Sequence, residues 1–88
     1  MYDYEVVPSL QKVLNRLFKK DKVVYEQVMK KIEEIIQNPC HYKPLKYDLA
    51  GQRRVHIMKS FVLKFEIDEQ KQIVRFIFFG HHDEAFRR

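Results

Sequence analysis

The sequence predicts an α+β fold: an N-terminal strand, then an antiparallel helical hairpin packed on a mostly antiparallel sheet of about four strands. Three observations carry this expectation. Two consecutive stretches before Asn38 repeat their apolar residues at helical spacing. Three stretches after Gly51 alternate apolar and polar residues. A shorter alternating stretch opens the chain. Helices grouped ahead of strands, rather than interleaved with them, argue for segregated layers instead of a parallel doubly wound sheet.

The elements follow in order. Tyr2-Asp-Tyr-Glu-Val-Val7 alternates and reads as the first strand. Pro8 and Ser9 open a helix, with Ser9 expected as its N-cap. Leu10, Val13, Leu14, Leu17 and Phe18 form its apolar stripe, and Lys12, Arg16, Lys19 and Lys20 its polar face. Asp21 is expected to cap a second helix, whose stripe is Val24, Val28, Ile32, Ile35 and Ile36, widened by Tyr25 and Met29. Asn38-Pro39 stops it. With almost no linker, the two helices should fold back on one another.

Residues 40–49 are irregular and contain Pro44, so a loop is expected, with a short strand near Leu45–Asp48. Gln52–Met58, Ser60–Asp68 and Gln72–Gly80 then alternate as three strands. Strand alternation sorts the side chains by face. Val55, Ile57, Phe61, Leu63, Phe65 and Ile67 point one way, joined by Val74, Phe76 and Phe78. Arg54, His56, Met58, Val62, Lys64, Glu66 and Arg75 point the other way. One face is therefore core, and the other is polar and open.

At 88 residues the chain makes one domain, 1–88. No apolar run approaches the roughly 20 residues of a membrane span. MYDYEVV has no basic segment followed by a hydrophobic one, so it does not read as a signal peptide. The single cysteine, Cys40, excludes an internal disulfide. A cytoplasmic protein is the simplest expectation. The net charge of +5 points to an acidic partner, nucleic acid or protein.

The open face carries the candidate chemistry. Arg54 and His56 stand two apart on one strand and project together. Arg53 falls on the other side unless a bulge or the strand end turns it. Lys59 adds a cation at the rim. The ending Gly80-His-His-Asp-Glu-Ala-Phe-Arg-Arg88 adds His82, Phe86 and Arg87, and the end of the last strand can bring His82 near His56.

Two imidazoles among fixed cations suit RNA cleavage without a metal. One removes the proton from the ribose 2′-OH that attacks the phosphate, and the other protonates the leaving 5′ oxygen. Arginine stabilises the charge growing on the phosphorane, and an aromatic such as Phe86 can stack a base. Other readings stay open. His81, His82 and Asp83 could form a metal site, although adjacent residues at a strand end point apart and no further Cys or His pair has ligand spacing. Phe86 could pack the tail onto the sheet, and Arg87-Arg88 could be a solvated end.

The order of short motifs is more specific than any one of them. Asn38-Pro39, Lys43-Pro44-Leu45, Gly51-Gln-Arg-Arg-Val-His-Ile57, Ser60-Phe-Val-Leu-Lys-Phe65 and Phe79-Gly-His-His-Asp-Glu-Ala-Phe86 together resemble the RelE/ParE toxin superfamily, above all its RelE- and YafQ-type messenger RNA interferases. The resemblance implies a toxin of a type II toxin–antitoxin pair. Such a toxin enters the ribosomal A site and cleaves the bound messenger by 2′-OH attack, with no cofactor and no metal. It also implies a RelB-like antitoxin partner that wraps the toxin.

Carried onto this chain, the resemblance makes Arg54 a phosphate contact and His56 and His82 the acid–base groups. The order is open, and His56 is taken as base and His82 as acid. Phe86 matches the family's aromatic four residues after that histidine, and Lys43 lies near a position held by histidine in YafQ-like members. Lys43, Arg53, Lys59, Phe86 and Arg87 are the expected substrate contacts.

This chain departs from the pattern at two places. Val62 stands where RelE has an arginine, and Ser60 where YafQ-like members have an aspartate. Two other readings remain: a ParE-like toxin that inhibits gyrase by binding, and a non-enzymatic nucleic-acid-binding adaptor.

Overall fold

In the computed structural model, which describes residues 1–42 and 51–85, two helices cover one face of a four-stranded mixed sheet. The elements are β1 (Asp3–Val6), α1 (Pro8–Lys20), α2 (Lys22–Gln37), a single 3₁₀ turn (Pro39–His41), β2 (Gln52–Ile57), β3 (Phe61–Asp68), β4 (Ile73–His81) and a one-turn helix α3 (His82–Ala85). The expected strand near Leu45–Asp48 lies outside the described residues, as do Lys43, Phe86 and Arg87. The sheet order is β1-β4-β3-β2. β1 runs parallel to β4, and the other two pairings are antiparallel.

Local chemistry sets the helix ends. Pro8 occupies the first turn of α1 and Val7 the capping position, with no side-chain cap. Ser9 is therefore inside the helix and not its N-cap. A proline is pre-set for the first helical position, where its missing N–H costs nothing, so the helix starts two residues earlier than a serine cap would place it. Val7 is also held by the sheet, its N–H donating to the Phe76 carbonyl at 3.1 Å.

Asp21 serves both helices. Its N–H donates to Leu17 O at 2.8 Å, closing α1, and its Oδ1 accepts from the Val24 N–H at 3.3 Å, opening α2. Asn38 then caps the end of α2, its N–H on Ile35 O.

The core is continuous across both layers. Leu10 and Leu14 of α1 and Val24, Val28, Ile32, Ile35 and Ile36 of α2 pack on Ile57, Leu63, Phe65, Val74, Phe76 and Phe79 of the sheet. Phe65 and Phe76 are its largest wholly buried side chains, with ring centroids 5.7 Å apart. Phe18, at the end of the expected α1 stripe, is half exposed and meets Tyr25 of α2 edge-on at 5.1 Å.

One irregularity changes the face assignment. Lys64 pairs with Phe78, but the next residue, Phe65, pairs with Phe76, so Ile77 is an extra residue in β4. A bulge of this kind shifts the alternation by one. Val74 and Phe76 face the helices, as expected, but beyond the bulge it is Phe79 that enters the core, buried and stacked on Phe61 at 5.2 Å. Phe78 is thus not a core-face residue. It shares the open face with Lys64, whose Nζ lies 5.5 Å from the Phe78 ring centroid.

Candidate active site

The open face is a set of cross-strand rows. At one end Gln52, Glu66 and Arg75 stand in register, followed by Glu5 of β1. Arg75 holds both acids of that row, with Nε 2.8 Å from Glu5 and Nη1 3.7 Å from Glu66. The Glu5 hydrogen bond raises the guanidinium pKa further, so Arg75 is a fixed charge. The next row is Arg54, Lys64 and Phe78. The last is His56, Val62 and Gly80. The acids are thus gathered at one end of the face, and cations and imidazole lie toward the other.

His82 completes the last row from beyond it. Neighbouring strands lie about 4.8 Å apart, so His56 on β2 and the β4 backbone are separated by about twice that. Yet the His56 and His82 rings stack at 5.4 Å, with their planes 22° apart. They meet only by leaning over the intervening strand at Val62. Gly80 adds no side chain to obstruct them. Val62 is 0% exposed although it lies on the open face, and it stands outside the helix-facing core cluster. It is the apolar floor under the two imidazoles.

The backbone holds His82 at this place. Its N–H donates to Ser60 O at 2.8 Å, tying the start of α3 to the β2–β3 turn. That turn is tight: Met58 and Lys59 both have positive φ, 52° and 65°, and Ser60 N–H closes on Met58 O at 2.7 Å. Such backbone is costly for residues with a Cβ. It brings the Ser60 carbonyl to His82 and leaves Lys59 exposed at the rim. The His82 Nδ1 lies 3.9 Å from Asp83 Oδ1, a loose contact between two exposed groups. The adjacent His81 goes the other way, its ring 4.8 Å from that of Phe61. The two consecutive histidines therefore diverge.

Electrostatics distinguish Lys64 from the other cations. Partial burial, and then the neighbouring charge of Arg54, hold its pKa below that of an ordinary lysine.

Of the residues anticipated from sequence, Arg54, His56 and His82 come together on the open face, and Lys59 stands at its edge. Arg53 does not join them. It lies on the opposite side of β2, where its guanidinium donates to the Tyr42 carbonyl. Lys64 and Phe78 extend the site, and neither stood among the anticipated contacts. The parity of Lys64 with Arg54 and His56 was visible in the sequence. Its cross-strand partner was not, and the placement of Phe78 depends on a bulge that alternation conceals. Among the described residues no helix is long and apolar enough to cross a membrane.

Comparison with known proteins agrees with this architecture. Residues 4–86 match the family model described as the ParE toxin of the type II toxin–antitoxin system parDE. A candidate toxin, RelE4, of Methanocaldococcus jannaschii is 49% identical over 88 residues, spanning 100% of this chain and 94% of that protein. Among solved structures, a YoeB/ParE toxin from Agrobacterium tumefaciens superposes with a TM-score of 0.80 at 18% identity, covering 91% of this chain and 98% of the other. The toxin in the intact RelBE toxin–antitoxin complex of E. coli superposes with a TM-score of 0.77 at 20% identity, covering 92% and 96%. At those identities the structural likeness is one of fold.

Proposed function

Because this chain belongs to the RelE/ParE superfamily of type II toxins, we propose that it is a metal-independent endoribonuclease that cleaves messenger RNA in the ribosomal A site. One observation carries the reading: the His56–His82 pair, stacked at 5.4 Å on an open cationic face. In the proposed reaction one imidazole takes the proton from the 2′-OH as that oxygen attacks the adjacent phosphorus. The other gives a proton to the departing 5′ oxygen. His56, on the rigid strand, is assigned as base, and His82, at the chain's last described turn, as acid. Rings this close can serve two oxygens of one phosphodiester. Arg54, beside them, stabilises the extra charge on the phosphorane. Lys59 contacts phosphate from the rim, and Lys43, Phe86 and Arg87 supply the remaining substrate contacts.

Few groups perform the chemistry, so orientation of the messenger by the ribosome supplies much of the rate. The site of action is then cytoplasmic. The likeness to the toxin in the E. coli RelBE complex supports a RelB-like antitoxin as partner, wrapping the single toxin domain of residues 1–88.

Primer extension on a messenger in a translating extract tests the reading. Wild type is expected to produce new cuts within A-site codons. His82→Ala abolishes them, and co-expression of the neighbouring gene product suppresses them. A second reading has one observation in its favour: the matching family model is that of ParE. A gyrase inhibitor would leave the messenger intact and block DNA supercoiling, with His82→Ala as potent as wild type.

A further inference from the structure

One aromatic ring of β4 adds nothing to the core. Phe76 and Phe79 are buried. Phe78 is neither in the helix-facing core nor among the partly buried apolar side chains that pack against it. It stands partly exposed on the open face. The bulge at Ile77 puts it there, since unbroken alternation from Phe76 would turn Phe78 to the helices. Bulges recur beside active sites, where they re-aim a side chain. On the β3 side of Phe78 is its register partner Lys64, with Nζ 5.5 Å from the ring centroid. On the other side β1 has already ended at Val6, in register with Phe76, so no strand flanks Phe78 there. Along β4 the next open-face residue is Gly80, so no side chain stands between Phe78 and the histidine pair on that strand.

We propose that Phe78 is a stacking platform for the base of the nucleotide on the leaving-group side of the scissile phosphate. The inference rests on the nuclease reading above, with His82 as acid, and deepens it. Phe78 is two residues from Gly80 of the His56–Val62–Gly80 row, about 6.8 Å along the strand. That is the reach from a phosphate to the base of the same nucleotide. His82 follows directly on β4, so it comes to the pair from the Phe78 side, whereas His56 comes from β2. The 5′ oxygen that His82 protonates belongs to the nucleotide 3′ of the cut, whose base is thereby led toward β4. Proteins that hold unpaired RNA stack its bases on aromatic side chains of an open sheet face. The contact of the Lys64 ammonium with the ring steadies the platform from the β3 side. A strand residue fixed by register is a more rigid platform than an aromatic in a chain terminus.

The test uses ribosomes programmed with a synthetic messenger whose cleavage site is known. Two further messengers lack one base, on the 5′ or the 3′ side of the scissile phosphate, and keep every ribose and phosphate. Phe78→Leu preserves an apolar side chain but cannot stack. It is expected to slow cleavage of the unmodified messenger about tenfold, the scale of one base–aromatic stack. Phe78→Tyr restores most of the rate. Removing the 3′ base slows wild type by a similar factor and slows Phe78→Leu no further. Thermal melts establish that both variants are folded. Wild-type rates in Phe78→Leu, factors that multiply when the 3′ base is also removed, or a shared effect at the 5′ base alone overturn the platform and leave the nuclease reading standing. A wild type that leaves the unmodified messenger whole overturns both.

Discussion

Val62 offers a direct way to test how the site is built. It is wholly buried, yet it lies on the open face, outside the helix-facing core. Val62→Ala removes two carbon atoms' worth of buried apolar surface. At about 0.8 kcal/mol per methylene the transfer loss is about 1.6 kcal/mol, and incomplete collapse of the gap brings the total to about 2 kcal/mol. For a domain of this size that corresponds to a fall of roughly 8–16 °C in melting temperature.

The same substitution removes the floor on which the two imidazoles lean. Their spacing of 5.4 Å is then no longer enforced, and messenger cleavage should fall about tenfold, measured well below the melting temperature of both proteins. Phe65→Leu is the control. It destabilises the helix-facing core, where Phe65 is also wholly buried, without reaching the imidazoles, so it should lower the melting temperature and leave the cleavage rate unchanged. If Val62→Ala melts as expected but cleaves like wild type, the imidazoles do not depend on Val62 and the proposed floor is wrong. If it does not lower the melting temperature at all, the enclosure of Val62 itself is refuted.

Three further outcomes follow from the packing and the caps. Phe79→Ala should cost about 3 kcal/mol in urea unfolding and Phe78→Ala about 1 kcal/mol, because the bulge places only Phe79 in the core. Equal costs would refute the parity shift. Asp21→Ala should cost about 1 kcal/mol through loss of the cap on the Val24 N–H, read in the same urea assay. Lys64→Met should be more stable than wild type at neutral pH. The folded-state pKa of Lys64 is depressed, so the unfolded chain binds more protons, and wild-type stability rises as pH climbs from that lowered value toward the ordinary lysine range. The advantage of Lys64→Met should therefore shrink over that window, and a pH-independent difference would rule out the charge as its cause.

Much of the fold was legible in the residues themselves. Helical stripes and strand alternation report which side of an element meets the core, because burial of apolar surface is decided residue by residue along one element. Val24, Val28, Ile32, Ile35 and Ile36 of α2 are all buried, as their spacing required. Asp21 and Asn38 bound the helices because capping is chemistry within a few residues. The parity that sends Arg54 and His56 to one face and Arg53 to the other is equally local.

The remaining features are not local. The parallel seat of β1 beside β4 links Glu5 to Arg75, 70 residues apart. The register that makes Arg54 and Lys64 partners depends on two strands at once, and no pattern within either strand carries it. The bulge at Ile77 exchanges Phe78 for Phe79 because two strands of different effective length must close on the same core. The stacking of His56 on His82 needs three strands, an absent side chain at Gly80 and a backbone bond from His82 to Ser60. By itself the sequence determined the core-facing side of α2 and of β2 and the caps that bound α2, since those follow from periodicity and short-range capping. Only the tertiary structure decided which solvent-facing groups meet, because that depends on register, twist and a single extra residue, whose effects appear when separate strands are brought together.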